Sequence, residues 1–264
     1  MELWRGSIGE LIKSGRRALG FWGAPPRAAL EAAAAAHPGA PWLDLDVFRG
    51  APRSRAVPDA FCHIIRNCVE NAVAAALALE CVVAATGPEK CDSGRFAARL
   101  VAELTGLRVV ETVNTGLADP APALLCDAAG PLQARVVRVM EAIVEPLTPA
   151  EIEAAAGARA APTHGFWGTP PHPIGLLDLF PDTTAVFGWT RCVEQGRPAD
   201  LELECAVPVG LPVVFFSQGF CAKGLLARRL AQEHRGMHVD AHDVLHAATR
   251  AKIEAFIRLA GEGL

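Results

Sequence analysis

Two segments of this chain resemble each other so closely that they limit the folds available to it. The segment "VVAATGPEKCDSGRFAARLVAELTGLRVVE" at residues 82–111 returns as "VVFFSQGFCAKGLLARRLAQEHRGMHVDA" at 213–241, and "GFWGAPP" at 20–26 returns as "GFWGTPP" at 165–171. From Cys91 in the first copy and Cys221 in the second, the long segments align without a gap. A repeat of this length predicts an internal duplication.

Each copy has the same predicted order of elements. The runs "CVVAA", "LRVVE" and "PVVFF" are apolar and rich in β-branched residues, without the alternation of a half-exposed strand. Such runs are typical of parallel strands buried on both faces, and segments with helical spacing lie between them. We therefore expect an α/β fold of two pseudo-symmetric, doubly wound parallel-sheet lobes.

The lobes are predicted to join at a segment rich in proline and alanine, "EPLTPAEIEAAAGARAAPTHG". Thr148 in this segment has the position of an N-cap for a connecting helix. The first α/β lobe is thus assigned to residues 1–147 and the second to residues 148–264. The second lobe ends in "AHDVLHAATRAKIEAFIRLAGEGL", whose apolar spacing predicts a helix packed across a lobe.

Composition excludes several classes of function. Hydrophobic residues make up 51% of the 264 residues, enough for a full core, and the formal net charge is −4. Without a basic stripe, nucleic acid is not an expected partner. Runs such as "AVAAALAL" are too short to span a bilayer, and the N-terminus has no signal-peptide pattern. We expect a cytoplasmic protein that binds neither nucleic acid nor membrane.

The chain has eight cysteines but no Cys-x-x-Cys or Cys-x-x-x-Cys pair. A cytoplasmic location argues against a disulfide framework, and the spacing argues against a zinc ribbon or a closely spaced ferredoxin motif. Any metal site must therefore take its ligands from distant segments.

Three of these cysteines are predicted to begin helices. Cys91 and Cys221 follow strands in the two copies, and Cys62 opens a long helix just after Pro58 and Asp59. Ligands of open parallel sheets collect at the carboxyl ends of the strands, here in a predicted cleft between lobes. The N–H groups and dipole of a helix N-terminus stabilise a thiolate or an anionic group bound through one.

These motifs resemble the 2-hydroxyacyl-CoA dehydratase / benzoyl-CoA reductase family. "FCHIIRNCVENAVAAAL" is similar to the Cys-x-x-x-Arg helix of that family, "VVAATGPEKCDSGRFAARL" to its Cys-Asp loop, and "VVFFSQGFCAKGLLARRL" to its later Phe-Cys loop. "GFWGAPPRAALEAAAAAHPGAPW" and "TRAKIEAFIRLA" resemble its opening and closing segments. "FGWTRCVEQG" keeps a cysteine, Cys192, but lacks the family's two aspartates, and the chain resembles a shortened subunit.

The resemblance implies an iron–sulfur cluster, [4Fe-4S] or larger, held in the cleft by Cys62, Cys91 and Cys221. It also implies that Arg66 helps to bind the cluster, that Cys192 is a further candidate for binding it, and that Arg95 lies near it. A simpler interpretation is that both arginines are surface cations. Expected partners are a second copy or related subunit, an ATP-dependent iron–sulfur activator and an acyl-CoA substrate. The implied activity is low-potential electron transfer or reductive and radical chemistry, as an oxidoreductase or lyase.

Other functional classes explain part of the pattern. A cofactor-independent racemase or decarboxylase would use Cys91 and Cys221 as opposed acid and base, leaving Cys62 without a role. A non-catalytic iron–sulfur scaffold or electron carrier is a third interpretation. A nucleotide kinase is excluded because neither copy supplies the G-x-x-x-x-G-K-[ST] phosphate loop.

The remaining candidate residues have structural interpretations. His242 and His246 are predicted to share one helical face as solvated side chains. Trp22 and Trp167, in the two copies of "GFWG", are expected to anchor their lobes. Four cysteines are expected to be small core residues, namely Cys68, Cys81, Cys126 and Cys205.

Overall fold

The computed structural model of the protein describes residues 1–49, 51, 56–87, 90–198 and 200–261. The chain divides into two compact units, the first formed by Met1–Thr115 with Ile143–Pro146 and the second by Gly116–Ala142 with Leu147–Leu264. The chain passes from the first unit to the second for the last time between Pro146 and Leu147. The boundary predicted between residues 147 and 148 lies one residue from this point. Residues 116–142, assigned from the sequence to the first lobe, belong to the second unit.

The first unit contains a four-stranded, all-parallel sheet with the order β2-β1-β3-β4. Its strands are β1 (Ala18–Trp22), β2 (Trp42–Asp44), β3 (Leu79–Ala85) and β4 (Val109–Thr112). Its helices are α1 (Ile8–Ser14), α2 (Arg27–Ala36), α3 (His63–Ala75), which continues into a 3-10 turn (Ala76–Ala78), and α4 (Asp92–Thr105).

The second unit contains another four-stranded, all-parallel sheet, with the order β6-β5-β7-β8. Its strands are β5 (His164–Trp167), β6 (Thr184–Phe187), β7 (Val213–Gln218) and β8 (Met237–Ala241). Its helices are α5 (Leu132–Glu141), α6 (Pro149–Gly157), a 3-10 helix (Ile174–Leu179), α7 (Trp189–Glu194), α8 (Leu201–Cys205), α9 (Gly224–Glu233) and α10 (Ala247–Gly261). The two sheets confirm the predicted α/β class.

The repeated "GFW" forms a central strand of each sheet. A Cβ atom at Gly20 would lie 2.9 Å from a Leu45 methyl carbon, and one at Gly165 would lie 2.7 Å from Val213, so both strands need glycine to pack closely. Trp22 and Trp167 are buried, as expected of anchoring residues. Trp167 Nε1 donates to Glu204 O at 2.7 Å.

Apolar side chains cover both faces of each sheet. In the first unit, Leu19 and Phe21 of β1 pack with Leu30 of α2, whereas Val82 and Ala84 of β3 pack with residues of α3 and α4. In the second unit, adjacent residues of β5 likewise belong to separate clusters, one containing α5 and α10 and the other α9. Burial on both faces explains why the strand sequences are continuously apolar.

Of two predicted helix features in the second unit, one is confirmed and the other is wrong. Thr148 caps α6 and forms a capping box with Glu151, as its position predicts. The expectation that His242 and His246 share a helical face is wrong, because β8 extends to Ala241 and α10 begins at Ala247. Among the described residues, no helix is both long and apolar enough to cross a membrane.

Candidate cysteine sites

Cys62 and Cys91 occupy equivalent positions in the first unit. Cys62 is the N-cap of α3 and Cys91 is the N-cap of α4, as the sequence predicts. Because β2, β3 and β4 are parallel and these helices connect them in order, both helices begin at the carboxyl edge of the sheet. The two cysteines therefore lie on the edge where ligands of parallel sheets are bound.

Gly94 allows the first turns of these two helices to approach closely. A Cβ atom at Gly94 would lie 3.3 Å from Ile65 Cδ1 in α3 and 3.7 Å from Cys91 Sγ. Cys62, three residues before Ile65, is half-buried against the same core, whereas Cys91 is exposed. Two adjacent helix N-termini thus lie where the helix dipole stabilises negative charge on a sulfur atom or a bound group.

Asp46 holds this edge of the sheet together. Its Oδ2 accepts a hydrogen bond from Gly23 N at 2.5 Å, and its Oδ1 accepts one from Cys68 Sγ at 3.1 Å. Its backbone N–H donates to Asp44 Oδ1 at 2.9 Å. Asn71 of α3 donates to carbonyl groups on either side of Asp46. These bonds join the ends of β1 and β2 to α3, and so fix the helix that carries Cys62.

Two groups that contact Asp46 have raised pKa values, the Asp44 carboxyl and the Cys68 thiol. Burial, reinforced by the negative charge of Asp46, raises the pKa of Asp44 to about 7. Burial and the same carboxylate raise the pKa of the Cys68 thiol well above its usual value. Cys68 is therefore a neutral hydrogen-bond donor to Asp46, not a candidate thiolate.

The predictions for the core cysteines are confirmed except at one position. Cys68, Cys81 and Cys126 are buried. Cys205 was also expected in the core, but this prediction is wrong, because Cys205 ends the short helix α8 and is exposed.

Helix α3 also carries a buried polar face that the sequence interpretation missed. His63, Arg66, Asn67 and Glu70 are all buried, and their spacing of i, i+3, i+4 and i+7 places them on one face. This pattern is visible in "HIIRNCVEN". Arg66 donates to Asp59 O, so its interpretation as a surface cation is wrong.

Arg95, by contrast, fits the surface interpretation. Its side chain is 57% exposed, and its guanidinium lies 3.8 Å from the Asp92 carboxylate in the same helical turn. The structure gives Arg95 an ordinary helix-surface environment.

Cys221 of the second unit is not placed like Cys91. Its N–H donates to Gln218 O at 2.9 Å, and its carbonyl accepts from Gly224 N at 3.0 Å. Helix α9 begins at Gly224 with Lys223 as its N-cap, so the prediction that Cys221 begins this helix is wrong by two residues. Cys221 is half-buried in a turn after β7, at the carboxyl edge of the second sheet.

Cys192 lies in α7 and is fully buried. Its Sγ donates to Asp200 O at 3.7 Å. Burial and the negative charge of Glu204 raise the pKa of the thiol to about 12. These surroundings favour the neutral thiol, which is a poor metal ligand.

The thiols of Cys62 and Cys91 suit an anionic, thiolate-bound group, because both lie where helix N–H groups stabilise negative charge. In the described part of the chain, no group of three or more histidine, cysteine, aspartate or glutamate side chains is arranged to hold a metal ion. No protein-family model matches the chain. No curated protein matches it either.

Proposed function

We propose that this chain is an iron–sulfur protein whose cluster is bound by Cys62, Cys91 and Cys221. The observation that carries the proposal is the placement of Cys62 and Cys91 as caps of two packed helices at one sheet edge. When bound, a cluster of this kind supplies single electrons at low potential. Cys192 is left outside the proposed ligand set because its surroundings favour the neutral thiol.

The residues around Cys62 and Cys91 would bind and stabilise such a group. The N–H groups of the first turns of α3 and α4 favour negative charge on the bound sulfur atoms. Arg66, in the turn that follows Cys62, brings a buried positive charge to the same helix. Asp46 fixes α3 to the sheet edge, which limits the movement of Cys62.

The proposal extends to the origin and partners of the chain. The repeated sequence and the shared position of "GFW" in the two central strands support an internal duplication into two doubly wound lobes. The resemblance to 2-hydroxyacyl-CoA dehydratase and benzoyl-CoA reductase subunits supports reductive or radical chemistry on an acyl-CoA in the cytoplasm. It also supports pairing with a second copy or related subunit and electron supply from an ATP-dependent iron–sulfur activator.

The test is anaerobic reconstitution with iron and sulfide, followed by metal analysis and visible spectroscopy. We expect the wild type to bind iron and each of Cys62→Ser, Cys91→Ser and Cys221→Ser to lose most of it. Two control variants should keep their iron, Cys205→Ser at an exposed thiol and Cys81→Ser at a buried one.

Equal iron in all of these variants would overturn the proposed ligand set. A wild type that binds no iron would overturn the iron–sulfur proposal. That second result would instead favour acid–base chemistry by Cys91 and Cys221, which each follow a strand at the carboxyl edge of their own sheet.

A further inference from the structure

The side chain of Gln218 joins three loops of the second unit. Gln218 ends β7 and is 2% exposed. Its Oε1 accepts from His172 N at 2.7 Å, and its Nε2 lies 2.9 Å from His172 O. The same Nε2 lies 3.0 Å from Ala241 O and 3.3 Å from His242 O. One buried amide thus connects the chain after β5 and the chain after β8 to the end of β7.

Gln218 also closes the turn that contains Cys221. Its backbone carbonyl accepts from Cys221 N at 2.9 Å. Between these residues, Phe220 has a φ of 60°, a left-handed conformation that is uncommon for a side chain of this size. Such a conformation persists where the surrounding structure determines it. Here the bond from Cys221 N to Gln218 O spans Phe220, and the Phe220 ring lies edge-on to His242 with ring centroids 5.2 Å apart.

A second buried anchor follows Cys221. Lys223 Nζ lies 2.5 and 2.6 Å from the two carboxylate oxygens of Glu204. Glu204 is 1% exposed, so its charge needs a paired and hydrogen-bonded cation. The residue two positions beyond Cys221 is thereby fixed to α8.

We propose that Gln218 and Lys223 are positioning residues for Cys221. A turn that only linked β7 to α9 at the surface would need neither a buried amide in contact with two other loops nor an ion pair with a buried carboxylate. Together these two side chains hold the turn on both sides of Cys221 and set the direction of its thiol.

The first experiment uses metal-free protein and does not depend on the proposed function. Cys221 is alkylated with iodoacetamide, and peptide mass spectrometry gives its rate relative to the exposed Cys91 in the other unit. In Gln218→Met, we expect this ratio to rise about tenfold, because the turn loses its side-chain hydrogen bonds and opens more often. Gln195→Met is the matched control, because Gln195 donates one hydrogen bond to Ala121 O in the same unit.

The second anchor is tested by a neutral pair and by a conservative variant. Lys223→Met combined with Glu204→Gln removes the ion pair without leaving a buried charge. We expect the alkylation rate of Cys221 relative to Cys91 to rise about tenfold in this double variant. Lys223→Arg keeps the positive charge and should restore the wild-type ratio. If Gln218→Met does not fold, Gln218→Asn replaces it, since that variant keeps a neutral amide but shortens the side chain that reaches His172 and Ala241.

The outcomes separate this inference from the proposed function. Ratios within about twofold of wild type in folded Gln218 and Lys223/Glu204 variants would overturn the positioning role, since lost anchoring must raise local opening. In reconstituted protein, the cluster's electron paramagnetic resonance spectrum should change in Gln218→Met and stay unchanged in Gln195→Met. A wild type without iron would refute the proposed function, while the alkylation ratios would still decide the role of Gln218 and Lys223.

Discussion

Replacing Asp44 with asparagine should stabilise the first unit increasingly as the pH rises. The pKa of Asp44 is raised from 3.8 to about 7 by burial and by Asp46. Between these pH values the native state keeps a proton that the unfolded chain has lost, so the free energy of unfolding falls as the pH rises. The pKa difference corresponds to an upper limit on the order of 4 kcal/mol above about pH 7.

Asparagine removes the titration and keeps the local geometry. Its side-chain oxygen can still accept from Asp46 N, which donates to Asp44 Oδ1 at 2.9 Å. Below about pH 4 both side chains are neutral, so wild type and Asp44→Asn should have similar stability. Above about pH 7 the variant should be more stable by about 1–4 kcal/mol.

The assay is urea denaturation from about pH 4 to pH 8, followed through the fluorescence of the buried tryptophans of the first unit, Trp22 and Trp42. Glu31→Gln removes an exposed carboxylate from the same unit and is the control, for which we expect little pH-dependent difference. A stability difference between Asp44→Asn and wild type that is the same at both ends of this range would refute the reasoning.

Two further predictions concern single side chains of the core and the connecting helix. Thr148→Ala should lower stability by about 1 kcal/mol in thermal or urea unfolding, because α6 loses its capping box with Glu151; no loss would show that the cap is not needed. Trp167→Phe should cost about 1 kcal/mol more than Trp22→Phe, because Trp167 donates to Glu204 O whereas Trp22 Nε1 has no hydrogen-bond partner among the described residues; equal costs would contradict this.

The strands that could be predicted are those with long β-branched runs. "CVVAA", "LRVVE" and "PVVFF" mark β3, β4 and β7, because burial on both faces selects such residues. β1 and β5 carry no such signal, since "GFW" contains glycine and only a few residues. β2 has three residues and no periodicity of its own, so it depends on pairing with β1 across the sheet.

The helix starts at the candidate cysteines are predictable to different degrees. Cys62 and Cys91 are N-caps as predicted, because proline, aspartate and glycine around them mark helix starts. The alignment of Cys221 with Cys91 predicts that a helix begins at Cys221. The helix instead begins at Gly224, after the left-handed Phe220 and a turn. An alignment cannot show this turn, because the Gln218 side chain beside it bonds to residues far away in the sequence.

The two units anchor their cysteine-bearing edges with different chemistry, although their sheets have the same strand order. In the first unit the anchor is Asp46, which accepts hydrogen bonds from Gly23 and Cys68 and lies beside the titratable Asp44. In the second unit the anchor is Gln218, an amide that carries no charge at any physiological pH. The position of Cys62 should therefore respond to pH through Asp44, which lies beside the Asp46 anchor of α3. The position of Cys221 should instead depend on the hydrogen bonds of the Gln218 amide, which pH does not change, and on the ion pair of Lys223 with Glu204.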